Sequence, residues 1–210
     1  MQQISSAPQN FQIDFNVDIF SNSSNSRALR LLDALDQLFS KVGRLFPKSD
    51  VKAEFDFRPI EASDHDSLYQ LHLSLSPESK RFRFNSCLSN TSTRFFRQLA
   101  KSIANLQPEQ GFGFIAIDKE TEAAVGVAYV VFDGEQGGEM ALAINDNFQN
   151  RGLGSTFFNM LVSHAQQQQL RSLTAYVCID NVGMRRLISK SGLWHKHVDQ
   201  SGTLEYLISL

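Results

Sequence analysis

Two glycines one residue apart, Gly152 and Gly154, stand where a short apolar run, Met140-Ala-Leu-Ala-Ile144, gives way to a segment whose Leu153, Phe157, Leu161, Val162 and Ala165 recur at helical spacing. The period changes at the glycines, so the stretch from Ala143 to Ala165 reads as strand, tight turn and helix. Where a backbone without side chains enters a helix, the first N–H groups are unpaired and the positive end of the helix dipole stands behind them. Arg151-Gly-Leu-Gly-Ser155 is therefore an anion site, most naturally for phosphate, and the Arg151 side chain can add charge. Two common glycine-rich turns are excluded by spacing. A P-loop requires a lysine after its second glycine and none follows here; a dinucleotide fingerprint requires a third glycine or alanine where Phe157 stands.

The elements around this turn are legible in order. Phe55-Asp-Phe-Arg-Pro-Ile60 reads as a strand, Ala62 to Ser74 as a helix capped near Ser63, and Pro77 as the first residue of a further helix with Glu78 in its first turn. Arg81-Phe-Arg-Phe84 and Thr93 to Leu106 supply more helix, with Phe82, Phe84, Phe95 and Phe96 expected in the core. Gly113 to Asp118, Ala124 to Phe132 and Gly138 to Ile144 form an antiparallel meander, separated by turn-forming residues. After the turn helix come a strand at Ser172 to Ile179, a short helix from Asn181 through Lys190 with Gly192 just beyond it, and strands at Leu193 to Val198 and Thr203 to Ser209.

Residues 1–52 read as a separate extension. Phe11-Gln-Ile-Asp-Phe-Asn-Val-Asp-Ile19 alternates apolar and polar as a half-buried strand does, and Ala28, Leu31, Leu32, Leu35, Leu38, Phe39, Val42, Leu45 and Phe46 fall on one stripe of a helix over 27–46 that Pro47 stops. Asp33 and Asp36 among the basic residues weaken a membrane-surface reading of that helix. The expectation is that it packs on the main domain, residues 53–210, or on a second subunit as a homodimer contact.

With 20 basic and 22 acidic side chains in 210 residues, composition gives no reason to expect a nucleic-acid or anionic-membrane partner. No signal-peptide core and no apolar run near 18 residues is present, so a cytoplasmic protein with both thiols reduced is expected. Cys178, inside an apolar strand, is expected to be a buried packing residue. His65, His72, His164, His195 and His197 show no metal-ligand spacing beyond the pair 195/197 on one strand face, and no metal is expected.

The pattern Gln149-x-x-Gly152-x-Gly154 resembles the acetyl-coenzyme A motif, [QR]-x-x-G-x-[GA], of the GNAT superfamily of N-acetyltransferases. Glu139, Asn181-Val-Gly-Met184 and Gly192-Leu193 match further features of that family, over roughly residues 53–210. Leu75-Ser-Pro-Glu-Ser-Lys-Arg-Phe-Arg-Phe84 looks like a signature of the acetyltransferase domains of bacterial protein-lysine acetyltransferases. The resemblance implies an α/β fold, a mixed, mostly antiparallel sheet of about seven strands flanked by helices and splayed open beside the fourth strand. It implies acetyl-CoA as co-substrate and a primary amine as acceptor, assigned to a protein lysine or N-terminus and alternatively to a small-molecule amine; a coenzyme A-binding regulatory module without turnover is the competing class. Arg151, Gly152, Leu153, Gly154 and Ser155 would meet the pyrophosphate, with Gln149 part of the same motif. Ala143 and Ile144 would pair their backbone with pantetheine amides, and Asn181 would hydrogen-bond that arm.

Glu139 is the candidate general base. A lysine-like amine of pKa about 10.4 lies about 3.4 units from deprotonation at pH 7, a cost of about 4.6 kcal/mol that some residue should offset. Ile188 fills the slot where many relatives carry the tyrosine that protonates the departing thiolate.

Overall fold

A computed structural model describes residues 51–84 and 92–210. The expected strand 11–19 and helix 27–46, and with them the role of the extension, lie outside the described residues.

The seven-stranded sheet has the order β1-β2-β3-β4-β5-β7-β6. Its strands are β1 (Phe55–Pro59), β2 (Gly111–Asp118), β3 (Ala124–Phe132), β4 (Gly137–Ile144), β5 (Ser172–Cys178), β6 (His195–Gln200) and β7 (Thr203–Ser209). The helices are α1 (Val51–Glu54), α2 (His65–Ser74), α3 (Pro77–Phe84), α4 (Thr93–Ala104), α5 (Leu153–Gln167) and α6 (Val182–Lys190). All neighbouring strands are antiparallel except β4 and β5, whose parallel pairing requires the crossover through α5. The meander β2-β3-β4 and the final hairpin stand where sequence places them, with ends shifted by one or two residues.

One helix start differs. Ala62–Asp64 is a single 3-10 turn, and α2 begins only at His65. Ser63 is not the cap. The Asp64 carboxylate accepts from the Glu61 N–H at 2.8 Å and from Arg58 at 2.6 and 2.7 Å, tying the turn back to β1.

The sheet is covered on both faces because its central strands are apolar on both. On one face Phe157, Phe158 and Leu161 of α5 and Ile188 of α6 pack on Ala128, Val130, Met140, Leu173 and Ala175. On the other, Leu68 and Leu71 of α2 and Phe96, Ala100 and Ile103 of α4 pack on Ile115, Val127, Tyr129 and Ala143. Phe84 and Phe96 are buried, while Phe82 and Phe95 are only partly so.

The parallel pairing of β4 with β5 lasts three rungs: Gly137 with Ser172, Gly138 with Leu173, and Glu139 with Thr174. From Met140 to Ile144, β4 keeps its β3 partners but has no β5 partner. The sheet is split there, and that split positions the site.

Candidate active site at the split between β4 and β5

The turn that follows β4 is held open by local chemistry. Asn145 accepts from the Asn147 N–H at 3.0 Å, a 3-10 turn spans Asp146–Phe148, and Gly152 adopts φ +96°, a left-handed conformation that favours glycine. A Cβ at Gly152 would also stand 2.8 Å from Cγ2 of Val51. The first helical bond of α5 runs from the Thr156 N–H to the Gly152 carbonyl, so the N–H groups from Gly152 to Ser155 have no acceptor within the helix, and no acidic side chain occupies the first turn. Leu153 is buried and anchors the turn, Ser155 is exposed, and a Cβ at Gly154 would meet its nearest neighbours, Ile144 and Leu187, only at 3.7 Å. The fold does not need a bare Cα at 154, and the space there suits a close-lying ligand. Arg151 sits over the Phe148 ring, 5.1 Å from its centroid, with Glu54 at 3.8 Å, at the rim of the same turn.

Gln149 is exposed but folds back onto the end of β4. Its amide donates to the Ile144 carbonyl at 3.1 Å and to the Ser79 hydroxyl at 3.1 Å, joining the end of β4 to α3. Ala143 is buried, and its strand edge faces the split. On the far side, Asn181 caps α6, its oxygen accepting from the Met184 N–H at 3.0 Å, which leaves the amide NH2 for another partner.

Glu139 occupies the last paired rung. Its side chain is on the face of Tyr129 and Thr174, exposed at the apex of the split, and the walls around its carboxylate push its pKa up by desolvation while Arg83 opposes the rise. Tyr176 lies next along β5 on the same face. Its pKa is raised by desolvation and by the charges of Glu205 and Glu139, and its hydroxyl stands 3.5 Å from Glu205.

Residues that the sequence reading left without a role bridge the split. At the N-terminus of α3, Asp146 accepts from the Ser76 N–H at 2.9 Å, the Ser76 hydroxyl at 2.7 Å and the Ser79 hydroxyl at 2.7 Å. Further along the helix, Arg81 pairs with Asp180 beyond β5, and the Cys178 thiol donates to the Arg81 carbonyl at 3.8 Å. The helix thus ties both arms together. The signal was present as Ser76 and Ser79 in the quoted signature, but their partner is 67 to 70 residues away.

The basic stretch Arg81 to Arg97 is largely engaged. Arg83 donates to the Tyr129 hydroxyl and Arg97 lies over the Tyr69 ring at 4.5 Å. His195 and His197 pack against Tyr206, and among the described residues no cluster of three metal-ligating side chains occurs. Ile188 is fully buried.

The profile described as Acetyltransferase (GNAT) domain matches residues 55–193. The chain belongs to the GNAT acetyltransferases. It is accordingly an acetyl-CoA-dependent N-acetyltransferase. Among solved structures, the GNAT domain of S. lividans PAT matches with TM-score 0.63 and 19% identity over 73% of this chain and 89% of that one. The ribosomal L7/L12 alpha-N-protein acetyltransferase in complex with coenzyme A matches with TM-score 0.60 and 16% identity over 78% and 94%. Spermidine N-acetyltransferase from Vibrio cholerae, in complex with coenzyme A and spermine, matches with TM-score 0.57 and 13% identity over 75% and 95%. A search of curated proteins gives no match. No helix among the described residues is long and apolar enough to cross a membrane.

Proposed function

We propose that this GNAT enzyme transfers the acetyl group of acetyl-CoA to a primary amine carried by a protein, a lysine side chain or an N-terminus, by direct attack in a ternary complex. The observation that carries the reading is the coincidence of Glu139 with the last paired rung of β4 and β5, so that the only carboxylate on that rung stands where the split begins. The N–H groups from Gly152 to Ser155, which have no acceptor within the helix, suit the pyrophosphate, with Arg151 adding charge at the rim. The edge of β4 at Ala143 and Ile144, which has no β5 partner although the Ile144 carbonyl accepts from Gln149, suits the pantetheine amides, and the Asn181 NH2 suits the same arm from across the split. Gln149 serves by holding the end of β4 rather than by touching the ligand.

Glu139 takes a proton from the ammonium, directly or through one water, and its raised pKa brings it closer to the amine it must deprotonate. The amine nitrogen then attacks the thioester carbon and the C–N bond forms; the nitrogen gives its second proton to solvent, the C–S bond breaks and the thiolate leaves. With Ile188 buried, the thiolate takes its proton from solvent, which a thiol of pKa about 8.5 readily allows.

The test exposes a cell lysate to the purified enzyme and labelled acetyl-CoA. Protein label above the non-enzymatic background is expected. Label confined to small molecules overturns the protein acceptor, and absence of thiol release across a panel of amines overturns transfer altogether.

A further inference from the structure

Glu139 belongs to a rung that crosses five strands. Val131 pairs with Glu139, Glu139 with Thr174, Thr174 with Leu207, and Leu207 with Lys196. The next rung toward the open end of the split runs Tyr176, Glu205, Val198. These side chains share the sheet face that α2 and α4 cover over β2, β3 and β4 and that α3 closes at Cys178, the end of β5; at Thr174 and Tyr176 of β5, and over β7 and β6, no described helix covers it. Tyr176 is 45% exposed, Val198 58% and Trp194, which continues the β6 row, 64%. Tyr176 of β5 and Val198 and Trp194 on and beside β6 thus lie open, with the half-buried Leu207 of β7 between them, on a face that begins at the candidate base.

We propose that this open face of β5, β7 and β6 docks an extended polypeptide, and that the acceptor is a lysine of that polypeptide whose side chain runs past Tyr176 to Glu139. The proposal rests on the acetyl-transfer reading of the same site and deepens it. Three features support a lysine-bearing chain. The surface is continuous with the apex of the split. Its charge is complementary to an ammonium at Tyr176, which Glu139 and Glu205 flank, while the cations of the face stand apart from it, Arg83 on the β3 side of Glu139 and Lys196 at the far strand. Its extent exceeds what a small amine touches: at about 4.8 Å per strand, Leu207 is about 10 Å and Lys196 about 14 Å from Glu139. A backbone lying over β7 and β6 leaves a gap to Glu139 that a lysine stem spans, whereas an N-terminal amine has no stem and would draw the backbone off the face. Tyr176 offers that stem an aromatic wall, and the ammonium a ring face and two carboxylates.

The chain contains one tryptophan, Trp194, so its emission reports on this face alone. The full-length protein, with coenzyme A present, is titrated with an N-terminally blocked peptide library carrying one central lysine, and separately with n-butylamine. A saturable emission change with the peptides and none with butylamine is expected. With acetyl-CoA, kcat/KM for the peptides is expected to exceed that for butylamine, and Val198→Asp is expected to reduce that ratio about tenfold. Trp194→Ala, which exchanges an exposed side chain at the other end of the row, gives the same drop if Val198→Asp folds poorly. Equal use of both amines with no emission change overturns the docking face and leaves acetyl transfer standing. Peptide-dependent emission without acetylation of either amine keeps the face and refutes the transfer. A dimer in sedimentation that Val198→Asp dissociates assigns the face to a second copy and overturns the proposal.

Discussion

Glu139 and Thr174 form the last rung on which β4 and β5 are paired, and every residue of β4 beyond Glu139 has exchanged its β5 partner for the split. The carboxylate therefore has sheet backbone on both sides and an opening directly beyond it. Glu139→Gln is expected to lower kcat/KM by about 10²- to 10⁴-fold with little change in the dissociation constant for acetyl-CoA, measured by calorimetry. A loss of affinity equal to the loss of rate would instead mark a binding role.

The same carboxylate sets the acidic limb of the pH profile. Desolvation by the walls of the split raises the Glu139 pKa and a base must be ionised to act, so activity is expected to rise with pH through a value above the ordinary glutamate pKa. Arg83 opposes the rise, so Arg83→Gln is expected to move the limb to higher pH. A limb that stays in place, or moves down, removes Arg83 from the site's electrostatics.

Gly152 and Gly154 separate folding from binding. At Gly152, φ +96° and a Cβ contact of 2.8 Å with Val51 make Gly152→Ala costly by about 1–2 kcal/mol, read as a lower midpoint in thermal unfolding. At Gly154 the first contacts are at 3.7 Å, so Gly154→Val is expected to fold with nearly the native midpoint yet to lose coenzyme A affinity. Calorimetry showing normal binding by Gly154→Val would remove the turn from the cofactor site.

Asp146 is expected to hold α3 across the split. Asp146→Ala leaves the Ser76 N–H and both hydroxyls without their acceptor, and because the cluster is exposed the cost is about 1 kcal/mol. Desolvation raises the Asp146 pKa, but the three hydrogen bonds outweigh it and the net pKa is lowered. The stability it adds is present above the ordinary carboxylate pKa and disappears as pH falls through the depressed folded value. Denaturant melts of wild type and Asp146→Ala should therefore converge in strong acid.

His72 makes the fold acid-sensitive over a higher window. It is fully buried between Phe84 and Phe96, its Nδ1 bonds the Leu68 carbonyl at 2.7 Å, and its Nε2 lacks a partner among the described residues. Burial, with Arg83 and Lys80 nearby, lowers its pKa to about 4. The unfolded chain then binds a proton between pH 6.5 and about 4 that the folded chain does not, so stability should fall by about 3 kcal/mol as pH drops through that window. Urea melts of His72→Phe should lack this decline; an unchanged slope would place the acid sensitivity elsewhere.

Local patterns in the sequence determined the elements and the turn. The continuous apolar run of Ala124 to Phe132, the helical stripe from Leu153 to Ala165 and the two glycines between strand and helix each act over a few residues, and backbone sterics and burial leave them little choice. The Asn181 cap and the first-turn Pro77 are of the same kind. Tertiary structure alone decided where β4 and β5 part, because that depends on how far a crossover of almost thirty residues lets two strands pair. It decided that Gln149 braces β4, and that α3 spans the split through partners 70 and 99 residues away in Asp146 and Asp180. It also aligned Tyr176, Glu205 and Val198 beside Glu139, since register between distant strands is set by the packing of both sheet faces and by no pattern within any one of them.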